Sequence, residues 1–358
     1  MRYVLALSLL LVSLAPPLRG DSPVEGMIRL DVAGRQLEGS PLAWNEDIIH
    51  LLGRDGRLWQ FDPAQASDFR RTSGRFQPYS VSELRADLLR ELGGEYEVSG
   101  TGHYLVAHPR HQGEKWAQRF EDLYRFFVHY FSVRGLKLSP PAFPLVGIVC
   151  RNRQEFQQYS ATNIGSSMPG MLGFYALQSN RIVLYDMGRR ERSAAWQQNA
   201  AVIIHEATHQ TAFNTGIHCR YAPPPLWLAE GLATMFEADG VHNSQDYPEQ
   251  SRRINRERLN DFRRLSSRHR PELLMALVSS DALFRSSPDA AYAEAWALTF
   301  YFMENESQKF GKYLGLTGRR APFTVSSAEE RQRDFVAAFG SDWRMLEARL
   351  LRFMAGLK

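Results

Sequence analysis

The chain has 358 residues, of which 44% are hydrophobic and 23% charged, so it can bury a sizeable core. Its 43 Lys and Arg against 39 Asp and Glu give a net charge of only +4. This small charge, and the scattered basic residues, argue against a nucleic-acid-binding protein. The sequence also contains no internal repeat or low-complexity segment.

The first 20 residues have the composition of a secretory signal peptide. Arg2 precedes an apolar run from Val4 to Ala15, which is too short to span a bilayer comfortably and is followed by two prolines. We therefore predict cleavage near Gly20, a secreted or periplasmic protein, and no stable membrane insertion afterwards. The alternative is an uncleaved segment that acts as an N-terminal membrane anchor.

Residues 21–75 are predicted to form a small β-rich accessory module. The alternation of apolar and polar residues in Met27–Val32 is typical of a strand. Asp55-Gly56, between apolar runs at 47–52 and 58–61, indicates a β-hairpin. An amphipathic helix over residues 80–93 is predicted to follow this module.

Strands and helices then alternate up to residue 185. We predict strands at 103–107, 144–150, 173–177 and 181–185, the last two forming a hairpin, and helices at 115–134 and 153–159. Cys150 ends one of these strands, and Cys219 lies in a later loop. The two cysteines either form a disulfide or remain separate buried thiols.

Residues 201–213 contain the pattern H-E-x-x-H, formed by His205, Glu206 and His209. Positions i and i+4 share one face of a helix, so the two imidazoles can converge on one metal ion. Glu206 can reach a metal-bound water without binding the metal itself. The preceding turn is apolar on all sides, which predicts a buried helix.

A catalytic zinc site with two histidines needs a third protein ligand and one open position. Glu230, within the segment W-L-A-E-G-L-A, is the best candidate. Gly216 ends the first helix and three prolines at 223–225 precede the second, so a short connection brings the second helix back antiparallel. Gly231 predicts close helix packing beside the site. His218, between the helices, is the next candidate ligand.

These motifs resemble those of the gluzincin clan of zinc metallopeptidases. The similarity is closer to peptidase-MA-like bacterial proteins that carry H-E-A-T-H-Q and P-P-W-x-x-E-G-L-A motifs, and it runs from about residue 96 to the C-terminus. It implies Zn²⁺ held by His205, His209 and Glu230, with Glu206 as general base. It also implies that the hairpin before the metal helix binds extended substrate by strand addition.

The resemblance implies an α+β fold with a zincin-like metallopeptidase domain over residues 76–358. That domain is expected to have a small mixed sheet and the active-site helix in residues 76–215, and an α-helical subdomain in residues 216–358. Residues 290–304 resemble a helix of gluzincin aminopeptidases that begins with a catalytic tyrosine. Tyr292 is the matching position, which implies a hydrogen bond to the reaction's oxyanion; Tyr301 is the alternative.

We therefore predict an exported zinc-dependent metallopeptidase that cleaves peptide or protein substrates through a zinc-bound water activated by Glu206. The alternative is a catalytically inactive, zinc-stabilised envelope or binding protein. No sequence pattern points to a particular oligomeric state.

Overall fold

The computed structural model describes residues 26–113, 115–164, 170–187, 194–265 and 271–358. They form two units, each made of several chain segments. The first contains residues up to Glu121, Pro141–Ile203 and Pro322–Thr324; the second contains Asp122–Pro140, Ile204–Ala321 and Val325–Lys358. The domain bounds expected from the sequence, at residues 75 and 215, remain predictions.

The first unit begins with an antiparallel sheet. Its strands are β1 (Met27–Val32), β2 (Arg35–Trp44), β3 (Ile49–Gly53), β4 (Leu58–Phe61) and β5 (Ala66–Ser73). Their order is β4-β3-β2-β1-β5. Strands β3 and β4 form the hairpin predicted around Asp55-Gly56, with Leu52 opposite Leu58. The expectation of a β-rich N-terminal sheet is therefore confirmed.

A second sheet in the same unit mixes parallel and antiparallel pairs. Its elements are α1 (Val81–Leu92), β6 (Tyr96–Gly100), β7 (Tyr104–Pro109), α2 (Lys115–Ser132), β8 (Leu145–Cys150), α3 (Arg153–Ile164), β9 (Gly173–Ala176) and β10 (Arg181–Tyr185). The order is β6-β7-β8-β10-β9, with β7, β8 and β10 parallel. These three central strands are buried along their whole length, as expected for parallel strands with near-continuous apolar sequences.

The second unit is helical. It contains part of α2 and the second half of α4 (Ala194–Asn214). Its other helices are α5 (Leu226–Phe236), α6 (Asp239–His242), α7 (Arg256–Arg264), α8 (Pro271–Ser279), α9 (Ala282–Ser286), α10 (Pro288–Asn305), α11 (Ser307–Gly318), α12 (Ala328–Phe339) and α13 (Trp343–Gly356). The coarse prediction of an α+β chain with a helical C-terminal part is therefore confirmed.

Helices α5 and α10 pack unusually close together at Gly231. A Cβ atom added there would lie 2.3 Å from Thr299 Oγ1 and 2.4 Å from the carbonyl oxygen of Ala295. Only glycine allows this approach, so the close packing predicted from Gly231 is confirmed. All residues of α5 are buried, which fixes the helix that carries Glu230.

The structure tests the prediction about the two cysteines but not the prediction of a signal peptide. Cys150 and Cys219 are free cysteines rather than a disulfide; Cys150 is buried, as the alternative requires, but Cys219 is only half-buried. In the described ranges, no helix is both long and apolar enough to cross a membrane. Residues 1–20 lie outside those ranges, so the signal peptide and its alternative, a membrane anchor, remain predictions.

Candidate metal centre

The two histidines of the H-E-x-x-H pattern meet on one face of α4. His205 and His209 are both buried, and their Nε2 atoms are 3.2 Å apart. Their rings lie 4.8 Å apart between centroids, nearly perpendicular at 80°. The i, i+4 spacing therefore brings the two imidazole nitrogens together, as the sequence predicts.

Glu230 reaches the same point from α5. Its Oε2 lies 3.3 Å from His205 Nε2, and its Oε1 lies 3.6 Å from His209 Nε2. One ligand atom from each of the three residues lies within 4.8 Å of the others. The structure therefore brings together the three side chains that the sequence predicts as metal ligands; their role as ligands remains a prediction.

The donor set and its spacing fit a zinc ion. Two ligand atoms, each 2.0–2.1 Å from a tetrahedral ion, are separated by about 3.3 Å, close to the separations found here. Glu230 Oε2 is buried and has no hydrogen-bond partner among the described residues. Such an atom is costly to leave unsatisfied, and a cation between the carboxylate and the imidazoles would satisfy it.

The electrostatics of the cluster favour opposite charges on its members. Burial alone would raise the pKa of Glu230, but the two histidines outweigh it and hold that pKa well below its usual value. Burial would likewise lower the pKa of His205, but Glu230 and Glu237 raise it well above its usual value. The site therefore attracts positive charge, whether as protons or as a metal ion.

The start of α5 is held by residues far away in the sequence. Its N-cap residue, Pro225, makes no side-chain capping bond. Instead, the Leu226 backbone N–H donates to Asp281 Oδ1 at 3.1 Å. Arg331 binds the same carboxylate through two hydrogen bonds of 2.8 and 2.9 Å. Asp281 therefore replaces the missing cap and fixes the first turn of the helix that carries Glu230.

Glu237 supports the site, and sequence reasoning missed it. His205 Nδ1 donates to Glu237 Oε1 at 2.8 Å, and Asn255 Nδ2 donates to Glu237 Oε2 at 2.9 Å. A carboxylate on Nδ1 leaves the lone pair of Nε2 available to a metal. A signal was present, because Glu237 follows Glu230 by seven residues, which is about two helical turns, and so faces the same side.

Glu206 and Tyr292 also lie at this centre. Glu206 is buried on α4, beside the first histidine. Burial raises the pKa of the Tyr292 hydroxyl well above its usual value. The charge of Glu230, a hydrogen bond to the Glu230 carboxylate and the charge of Glu206 raise this pKa further. The N-terminal part of α10 (Pro288–Asn305) therefore carries Tyr292 to the carboxylates of α4 and α5.

Neither of the two alternatives left by the sequence belongs to the three-residue cluster. The Tyr301 hydroxyl donates to Glu306 Oε1 at 3.0 Å, so it is engaged away from the three-residue cluster. His218 is buried against Phe213, with ring centroids 5.2 Å apart. Burial, together with nearby His209, lowers the pKa of His218 to about 3, but it is not a member of the cluster.

A concave region in the first unit is lined by a network of charged residues. It has a volume of about 620 Å³, and Glu91 lies in its wall. Glu91 accepts hydrogen bonds of 2.7 Å from Arg57 Nη2 and Arg181 Nη1, and one of 3.1 Å from the Tyr159 hydroxyl. Burial raises the pKa of Glu91, but the two arginines outweigh it and hold the pKa below its ordinary value. We interpret this network as structural, since it joins the residue before β4 to α1, α3 and β10.

Comparison with known proteins gives a partial family match. A family model described as "Protein of unknown function (DUF1570)" matches residues 199–324, which include the three clustered residues, Glu206, Glu237 and Tyr292, but not Arg331. No curated protein matches the chain. The match therefore covers the site-bearing segment and less than half of the chain.

Solved structures of zinc metallopeptidases show a weak overall similarity. The M1 zinc metallopeptidase of Deinococcus radiodurans, in a mutant form bound to a Tyr-Ser-Ala substrate, has 15% identity and a TM-score of 0.40. The unmutated enzyme has 16% identity and a TM-score of 0.37. In both cases the match covers 74% of this chain and 52% of the other, so this chain spans about half their length.

Proposed function

We propose that this chain is an exported zinc-dependent metallopeptidase with a zincin-like domain. The observation that carries the proposal is the buried cluster of His205, His209 and Glu230, whose ligand atoms are 3.2–3.6 Å apart. The carboxylate of Glu237 on His205 Nδ1 supports it, because it favours the tautomer that can bind a metal. We also propose that the chain is related to the gluzincin clan, whose motifs its sequence resembles.

In the proposed reaction, Glu206 and Tyr292 have different roles. Zinc, when bound, polarises a carbonyl and lowers the pKa of water toward about 7. Glu206 is the general base: it takes a proton from the attacking water and passes it to the leaving amine. Hydrolysis then yields a carboxylate and an amine. Burial and neighbouring carboxylates keep the Tyr292 hydroxyl protonated. During the reaction this hydroxyl turns from Glu230 and donates its one hydrogen bond to the carbonyl oxygen, which is becoming negative.

Export is proposed on the sequence alone. Residues 1–20 have an apolar run and a small residue near the expected cleavage position. N-terminal sequencing of protein recovered from the periplasm or medium tests this, with a start near residue 21 as the expected result. A full-length chain in the membrane fraction would favour the uncleaved anchor.

Two substitutions separate the ligand role from the base role. Glu230→Gln should lose most of its zinc, because two ligands hold zinc far more weakly than three. Glu206→Gln should retain about one zinc per chain and lose about 100- to 10,000-fold in peptide hydrolysis, the range expected for a general base. Zinc is measured by elemental analysis, and hydrolysis by comparing cleavage of a peptide library with that of the unmutated protein.

Glu304→Gln is the matched control. Glu304 lies at the end of α10 and pairs with Arg253 at 3.0 Å, so this change removes a carboxylate from the same unit without touching the cluster. It should leave zinc content and hydrolysis unchanged. Equal zinc in Glu230→Gln and the control would place the third ligand elsewhere. A zinc-loaded unmutated protein that cleaves no peptide would favour the inactive, zinc-stabilised binding protein.

A further inference from the structure

One side chain fixes the first turn of α7 to the candidate centre. Asn255 precedes that helix, and its Nδ2 donates to Glu237 Oε2 at 2.9 Å and to the Thr234 carbonyl at 3.1 Å. Its Oδ1 accepts the backbone N–H of Arg258 at 3.2 Å, which caps α7. The same residue therefore supports His205 through Glu237 and sets where α7 begins.

Arg258 lies in that first turn and reaches the candidate catalytic tyrosine. Its guanidinium carbon is 5.5 Å from the centre of the Tyr292 ring. Arg258 is 8% exposed, so its charge is largely removed from water. Tyr292 in turn hydrogen-bonds Glu230. A nearly buried cation therefore lies beside the residue that we propose to contact the reacting carbonyl group.

The charge of Arg258 is only partly matched by the protein. Its Nη1 donates to Asp261 Oδ2 at 3.1 Å, while the other oxygen of Asp261 accepts a hydrogen bond from Arg264. One carboxylate therefore serves two guanidinium groups. Arg258 Nε is buried and has no hydrogen-bond partner among the residues that the structure describes. A desolvated guanidinium with an unused Nε donor favours a second anion.

We propose that Arg258 binds a carboxylate of the peptide substrate and so selects substrates with a negative group near the scissile bond. Guanidinium and carboxylate can form two parallel hydrogen bonds, which gives orientation as well as affinity. The carboxylate is either the peptide's C-terminal group or an Asp or Glu side chain. This inference rests on the proposed function, because it assumes that peptides bind beside Tyr292.

Peptide binding to the zinc-loaded Glu206→Gln protein tests the inference without requiring turnover. Two matched peptide pairs separate the sources of the carboxylate: one pair ends in a free carboxylate or a carboxamide, and the other carries an internal Asp or Asn. We expect about 10- to 100-fold tighter binding of the acidic member in one pair, as for a charge-assisted hydrogen bond. Adding Arg258→Gln should bring that ratio close to one.

Arg264→Gln is the matched control, since Arg264 shares the Asp261 carboxylate but has a side chain that is 60% exposed. It should keep the preference, and Arg258→Lys should keep part of it, because lysine retains the charge without the paired geometry. Thermal unfolding checks that each variant folds. An unchanged ratio in Arg258→Gln, an equal loss in Arg264→Gln, or no preference in either pair would overturn the inference. Arg258-dependent binding by a protein that hydrolyses no peptide would overturn only the proposed function.

Discussion

Replacing Glu237 by glutamine changes the candidate centre without touching a proposed ligand. Each oxygen of Glu237 accepts one hydrogen bond: Oε1 from His205 Nδ1 at 2.8 Å and Oε2 from Asn255 Nδ2 at 2.9 Å. A glutamine side chain offers one carbonyl oxygen and one NH₂ group. Its NH₂ group must therefore face one of these two donors, so at least one hydrogen bond is lost in either orientation.

The size of the effect follows from what the lost bond does to His205. A hydrogen bond to a charged group contributes about 1.5–3 kcal/mol, which corresponds to about a 10- to 100-fold change in an equilibrium constant. Loss of a carboxylate partner behind a metal-binding histidine weakens metal affinity by a similar factor. Without Glu237, the tautomer with the proton on Nε2 also becomes more populated, and it cannot bind a metal through that atom. We expect Glu237→Gln to bind zinc about 10- to 100-fold more weakly.

Competition with a chromophoric chelator at constant pH measures this affinity. Glu304→Gln, which removes a carboxylate paired with Arg253, serves as the control and should bind zinc like the unmutated protein. Glu230→Gln should be much weaker than either. Loss of a carboxylate partner is expected to weaken zinc binding at least about tenfold. The reasoning is refuted if Glu237→Gln binds zinc within about threefold of the unmutated protein. An equal weakening in the control would also refute it.

Two further predictions concern stability, and urea unfolding measures both. Gly231→Ala should lower the free energy of unfolding by about 1–3 kcal/mol, because its Cβ would lie 2.3 Å from Thr299 Oγ1; Gly315→Ala, which meets nothing within 4 Å, should not. Equal effects would contradict the packing argument. Glu91 has a pKa lowered from 4.5 in the folded state, so its stabilisation is present above that value and is lost as pH falls through the folded-state pKa. Between about pH 5 and pH 2, the free energy of unfolding should therefore fall less for Glu91→Gln than for the unmutated protein. An equal fall in both proteins would show that the ionised Glu91 does not stabilise the fold.

Local patterns in the sequence predicted the elements that local physics determines. Helix α1 begins with a capping box between Ser80 and Glu83 and ends at Gly93, whose φ of 81° suits glycine. The spacing from His205 to His209 determines a shared helix face, because helical geometry depends only on sequence separation. Prediction therefore succeeded for helix ends and helix faces, because residues close together in the sequence determine them.

Other features depend on contacts that no local pattern encodes. Strand β5 (Ala66–Ser73) has no apolar alternation and is largely exposed, because its hydrogen bonds to β1 hold it rather than a buried face. Asn255 and Glu237 meet only because α7 returns to the end of α5. Likewise, nothing around Asp281 marks it as the cap of a helix that begins 55 residues earlier in the chain.

These distant contacts determine how well the candidate centre is held. Glu230 lies in the middle of α5, and both ends of that helix are fixed by carboxylates: Asp281 at its start and Glu237 at its end. Asp281 is itself oriented by Arg331 on α12, and Glu237 by Asn255 before α7. A metal site needs its ligands held close to the binding geometry before the ion arrives. The ligand set is therefore encoded in a short segment, but its preorganisation requires α7, α9 and α12, so a fragment containing only α4 and α5 should not hold the three side chains in this arrangement.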